Sequence, residues 1–231
     1  MNRIIAPAVA VIALGAGGYW WSTQSGNDDM MAAQAETATA AAADATETAS
    51  AEAPNEFGIP DMTMGNPDAT VEIIEYASFT CPHCANAAAN LIPQIKKNYV
   101  DTGKVKFTYR EVYFDKYGMW GSLIARCGDG SKFFGIADLI YKGQREWVRA
   151  GNDAAIADEL RKIGRLAGIG SEQLDACLTD GEKLKNLVAW YQANATADDV
   201  TATPTFIING EKYSNMNYAD FSAILDEKLG E

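Results

Sequence analysis

Histidine occurs once in the 231 residues, as His83, and cysteine only four times. This scarcity excludes a closed structural zinc site, which takes about four Cys or His ligands. Two of the cysteines, Cys127 and Cys177, stand alone and far apart, so Cys81 and Cys84 have no second pair with which to share a metal. No resident metal is expected. Basic residues are also few, 19 Lys and Arg against 31 Asp and Glu, for a net charge of −12. Part of that excess lies in residues 22–56, which hold no Lys or Arg and seven acids: Asp28, Asp29, Glu36, Asp44, Glu47, Glu52 and Glu56. From residue 57 onward 24 acids face 18 bases. That balance is ordinary for a soluble domain and argues against nucleic acid as a partner.

Residues 22–56 also hold few large apolar side chains, Met30 and Met31 apart, being mostly Ala, Thr, Ser and acids. Burial there cannot offset the entropy of ordering the chain, and the segment reads as a disordered tether. Before it, Ile4 to Trp21 is an apolar run with no charge, preceded by Arg3. Its length is at the lower edge of a bilayer span, with Tyr19-Trp20-Trp21 suited to the outer headgroup level. Residues 1–21 therefore read as a signal-anchor. A cleaved signal peptide is the alternative, with the small-x-small sequence Ala33-Gln34-Ala35 as a distant cleavage site. Either reading exports the remainder to a compartment where disulfides persist.

Residues 57–231 carry the signals of one α/β domain. Val71 to Phe79 has the pattern of a central strand and follows the turn Asn66-Pro67-Asp68-Ala69. Cys84 to Tyr99 reads as a helix interrupted near Pro93, where the ring removes an internal hydrogen bond. Val105 to Val112 alternates strictly and reads as a second strand, parallel to the first if the helix crosses between them. Helical spacing then dominates, over 117–126, 132–142, 154–167, 171–177 and 182–195. Thr203 to Gly210, opened by Pro204 and closed by Asn209-Gly210, reads as a strand hairpinned to Glu211-Lys212-Tyr213. Tyr218 to Leu229 is a closing helix.

The chemistry concentrates in Cys81-Pro82-His83-Cys84, placed between the first strand and a helix. In that context the spacing means thiol–disulfide exchange. Cys81 at the helix N-terminus meets free N–H groups and the positive end of the dipole, which favour a thiolate. His83 adds a donor or a positive charge, a solvent-facing ring being the alternative. Cys84, one turn in, is the less accessible partner.

The order β-α-β, a helical block, β-β-α, together with CPHC after Glu75-Tyr76-Ala77-Ser78-Phe79, Tyr109-Arg110-Glu111 and Thr203-Pro204-Thr205-Phe206, resembles the DsbA family of exported thiol–disulfide oxidoreductases, its α-proteobacterial branch in particular. The resemblance covers about 60–230. It implies a thioredoxin fold with an inserted helical domain at about 115–197, and catalytic roles for Cys81, Pro82, His83, Cys84 and Glu75. Cys81 would form the mixed disulfide with substrate and Cys84 resolve it. Glu75 would lie buried beneath the dithiol as a base for Cys84, the alternative being a solvent-facing strand edge. Thr203 and a cis Pro204 would face the substrate. The resemblance further suggests a Cys127–Cys177 disulfide joining two insertion helices, against two buried free thiols. It implies no cofactor, reduced unfolded exported proteins as substrates, and a quinone-linked membrane reoxidant of the DsbB kind, the alternatives being a disulfide isomerase or reductase and a non-catalytic metal-handling module on the same scaffold. A monomer is expected because residues 22–56 show no heptad of large apolar residues. The location would be the periplasm, on an inner-membrane tether. One departure stands out: Ala85-Asn86-Ala87-Ala88-Ala89 is small where bulky residues often follow the second cysteine.

Overall fold

A computed structural model describes Ser50, Ala51 and residues 53–231. The expected anchor at 1–21 and most of the tether lie outside the described residues. Among those described, no helix is long and apolar enough to cross a membrane. The tether is corrected at its far end. Ser50–Ala51 (β1) pairs antiparallel with Met62–Gly65 (β2), Ser50 opposite Thr63. An edge strand needs only main-chain hydrogen bonds, so the polar, small composition of this stretch does not prevent it.

Among the described residues six strands form one sheet, in the order β1-β2-β4-β3-β5-β6. The centre is β3 (Val71–Ala77), parallel to β4 (Val105–Glu111) from the pair Val71–Val105 to Ala77–Glu111. Strand side chains alternate faces, so Val71, Ile73, Glu75 and Ala77 share one face, with Tyr109 of β4 directly opposite Glu75. β5 (Thr205–Ile208) flanks β3 antiparallel, and β6 (Glu211–Ser214) returns along it. The connecting Asn209 and Gly210 both have positive φ, 47° and 82°, the backbone a tight hairpin needs. On the other side, β2 pairs antiparallel with β4. Gly65 ends β2 at φ 95°, where a Cβ would stand 2.4 Å from the Val105 carbonyl oxygen. Only glycine fits there.

The crossover between β3 and β4 is broken into pieces. α1 (Pro82–Asn90) stops before Leu91, α2 (Ile92–Ile95) carries Pro93 in its first turn, and Lys96–Val100 forms a π-turn. Pro93 has no N–H for a continuous ladder, so the helix restarts there. Between β4 and β5 lie α3 (Lys116–Ala125), α4 (Phe133–Lys142), α5 (Gln144–Trp147), α6 (Asp153–Leu166), α7 (Ser171–Leu178) and α8 (Gly181–Ala197). α6 buries Ile156, Leu160 and Ile163, one stripe at helical spacing. α9 (Tyr218–Leu229) is capped by Asn217, whose side chain accepts from the Asp220 N–H.

Two links tie the helical insertion together and to the sheet. Cys127, past the end of α3, is bonded to Cys177 in α7, with Cα atoms 5.7 Å apart. Arg126 is buried and donates to both carboxylate oxygens of Glu111 at the end of β4, and to the Pro60 carbonyl oxygen at 2.8 Å. Its guanidinium lies over the rings of Phe133 and Trp190.

Candidate active site

After β3 the chain closes a tight turn, the Cys81 N–H donating to the Ser78 carbonyl oxygen at 3.0 Å. Pro82 opens α1, a position where its missing N–H and fixed φ cost nothing. Cys81 is therefore the residue immediately before the helix, in extended backbone, with the unsatisfied N–H groups of the first turn beside it. The insertion grips this turn twice. Thr80 Oγ1 donates to Asp115, the capping residue of α3, at 2.8 Å. The buried Gln144 amide donates to the Phe79 and Cys81 carbonyl oxygens at 2.8 and 2.9 Å.

Both active-site cysteines are free thiols, Cys84 wholly buried and Cys81 8% exposed. Their acidities are driven apart. The Cys84 thiol hydrogen-bonds the Cys81 sulfur, and against the opposing effect of burial, with help from Thr203 and the backbone N–H groups of Cys84 and His83, lowers Cys81 to about 5. Cys84 moves the other way, raised above all by burial, with the hydrogen bond to Cys81 and the charge of Glu75 adding to it. The pair thus stores one exposed-side thiolate and one buried thiol. The His83 ring is exposed and forms no hydrogen bond or ion pair among the described residues; its main-chain N–H is what acts on Cys81.

Glu75 is 3% exposed, on the sheet face covered by α1 and α4. Burial raises its carboxyl to about 8, so it is largely protonated at neutral pH. It borders a cleft of 280 Å³ lined also by Ala88, Tyr109, Gly135 and Tyr141. The two phenols hydrogen-bond one another at 2.6 Å. The small residues after Cys84 are accounted for here: Ala87 is buried in the core, Ala85 and Ala88 pack against it, and Ala88 walls the cleft.

The peptide bond between Thr203 and Pro204 is cis, and Cys81 Sγ lies 3.5 Å from the Thr203 carbonyl oxygen. Thr203 Oγ1 is buried without another partner, free to donate to either sulfur. The structure therefore brings Cys81, Cys84, Glu75, Thr203 and Pro204 together, and places Pro82 and the exposed His83 at the rim. Cys127 and Cys177 are bonded to each other within the insertion.

A family model described as thioredoxin matches residues 58–227. The chain belongs to the thioredoxin family. Relatives and solved structures that it resembles within this family include protein-disulfide oxidoreductases and a DsbA fold. A Rickettsia bellii protein, provisionally named a protein-disulfide oxidoreductase, is 33% identical over 172 residues, 74% of this chain and 65% of its own length. The chain thus spans slightly less than two thirds of that relative. The crystal structure of Wolbachia pipientis α-DsbA1 superposes with a TM-score of 0.66 at 24% identity, covering 74% of this chain and 91% of that one. A protein-disulfide isomerase from Novosphingobium aromaticivorans gives 0.66 at 26% identity, covering 73% and 97%.

For a thioredoxin-family site, two supporting residues were not evident from sequence. Asp115 stands just before α3, so the signal for its cap was present though not picked out. Gln144 had almost none: its acceptors lie 65 and 63 residues earlier.

Proposed function

We propose that the chain is an exported dithiol oxidase that donates the Cys81–Cys84 disulfide to reduced, partly unfolded proteins. The observation that carries this reading is the split between the two thiols: a thiolate is favoured at Cys81 and disfavoured at Cys84. Stabilising the reduced form makes the disulfide a stronger oxidant and Cys81 a good leaving group.

In the forward reaction a substrate thiolate attacks Cys81 Sγ, and the Cys81–Cys84 bond breaks. Cys84 leaves carrying the electron pair and takes the proton of the neutral Glu75 carboxyl. A second substrate thiolate then attacks the substrate sulfur of the mixed disulfide, releasing the substrate disulfide and the Cys81 thiolate. Substrate is oxidised by two electrons and the enzyme reduced by two. On reoxidation the ionised Glu75 recovers the proton from Cys84 as that sulfur attacks. Thr203, ahead of cis Pro204, presents main chain for an extended substrate segment to pair with. The reoxidant would be a quinone-linked membrane protein of the DsbB kind. Ile4 to Trp21 would direct export and hold the domain at the inner membrane through residues 22–49, as a periplasmic monomer.

The test is oxidation of a reduced unfolded protein by the oxidised chain. Cys81→Ser should abolish it, and an undiminished rate would remove the proposal. The likeness to the Novosphingobium isomerase supports a second reading, disulfide isomerisation. Recovery of activity from scrambled ribonuclease, with a dimer on gel filtration, favours that reading; a monomer without isomerisation favours the oxidase.

A further inference from the structure

Gln144 is only 4% exposed, on a four-residue helix of the insertion. A buried amide is costly unless its donors are used, and a residue needed only to fill space there would be Leu or Met. Both hydrogens of Nε2 are used, one on Phe79 O and one on Cys81 O. Phe79 lies past the last ladder pair, Ala77–Glu111, so its carbonyl has no strand partner. Cys81 O already receives the Ala85 N–H at 3.1 Å, the first helical bond of α1. One side chain therefore fixes the end of the strand relative to the start of the helix.

Its own support is firm. Gln144 follows Gly143, the corner between α4 and α5, and Trp147 is buried one turn on, its indole N–H donating to the Ile140 carbonyl oxygen at 2.9 Å. The N–H groups of His83 and Cys84 reach the Cys81 sulfur only while this main chain holds its course.

We propose that Gln144 is a positioning residue through which the helical insertion fixes the main chain presenting Cys81, and so governs the reactivity of that sulfur. The inference rests on Cys81 being the sulfur that exchanges with substrate. Without the amide the Phe79 carbonyl loses its donor, the turn relaxes, and the N–H groups aim less well at the thiolate. The Cys81 thiol then holds its proton more tightly.

The experiment follows the ultraviolet absorbance of the thiolate against pH in the reduced full chain. Gln144→Met, which keeps the length and removes both donors, should lower the Cys81 acid dissociation constant by about tenfold, one pH unit on the curve. Leu160→Ala, which destabilises the insertion at α6 and removes neither hydrogen bond of Gln144, should leave the curve in place. An unmoved curve in folded Gln144→Met, or an equal shift in Leu160→Ala, overturns the inference. If Gln144→Met does not fold, NMR of the nitrogen-labelled wild type decides. The Gln144 side-chain amide signals should move along the Cys81 titration curve, and signals insensitive to it overturn the inference. Loss of exchange in Cys81→Ser beside an unmoved Gln144→Met curve sinks this inference alone. A Cys81→Ser protein that still exchanges removes the reading beneath it.

Discussion

Arg126 and Glu111 form a two-pronged ion pair with both side chains 1% exposed, joining the end of β4 to the end of α3. Burying two charges is costly, and hydrogen bonding on every side is what makes it tolerable. Arg126→Met alone would leave Glu111 buried and unpaired, and should cost about 3–5 kcal/mol in urea unfolding. The double change Arg126→Met with Glu111→Leu should recover much of that loss. A single change that costs no more than an exposed pair would show that the joint is not a buried one.

The Cys127–Cys177 bond, with its sequence separation of 50, constrains the unfolded chain. Replacing both with alanine should remove about 2–4 kcal/mol of stability. The Cys81 thiolate curve should not move, because neither residue contacts the dithiol. A displaced curve would place the second disulfide in the redox chemistry.

Glu75 titrates near 4.5 when unfolded and near 8 when folded. Between those values the folded state binds the additional proton, so its contribution falls as pH rises and is fully lost above the upper value. Gln at this position does not titrate. The stability of Glu75→Gln relative to wild type should therefore climb from about pH 4.5 to about pH 8 and then level off. A difference independent of pH would mean that the carboxyl is solvated. In the reaction, the same variant should slow the release and attack of Cys84 by about 100-fold, the lower range for a lost proton donor or acceptor.

Cys81 shifts in the opposite sense, from 9 unfolded to about 5 folded. In this window the reduced folded chain is ionised while the unfolded one is protonated, so reduced-state stability gains with pH and is lost as pH falls through 5. The oxidised form has no thiol to titrate. Its stability relative to the reduced form should fall steadily between about pH 5 and pH 9, as thermal unfolding of both forms can measure. Parallel curves would contradict the thiolate assignment.

What could be read in the residues divides along physical lines. β3, β4, β5 and α9 repeat apolar side chains at strand or helix period, and CPHC is contiguous, so these were legible locally. β2 was not, because four residues, Met62–Gly65, are too short for a period to show. α5 is too short for a period to appear. Cys81 and Cys84 were legible from their spacing between a strand and a helix, whereas Glu75 and Pro204 entered only through the resemblance to a known family, since no local pattern marks a buried carboxyl or a cis bond. The His83 ring was expected to act on Cys81, yet its backbone does, because residues at the exposed start of a helix point outward while their N–H groups point at the cap. Gln144 serves carbonyls far away in sequence, and no local pattern encodes such a contact. Ala87 and Ala88 are small because their side of α1 packs onto the core, with Ala88 bordering the Glu75 cleft, a reason visible only once the helix is docked.

Equilibration of the purified chain against glutathione buffers, with the Cys81–Cys84 dithiol and disulfide quantified by thiol trapping, tests the central claim most directly. The split between a stabilised Cys81 thiolate and a buried Cys84 thiol predicts a disulfide more oxidising than the glutathione couple, largely reduced in buffers where glutathione disulfide is still abundant. A dithiol that remains oxidised until glutathione is strongly reducing would contradict the account and make the chain a reductant.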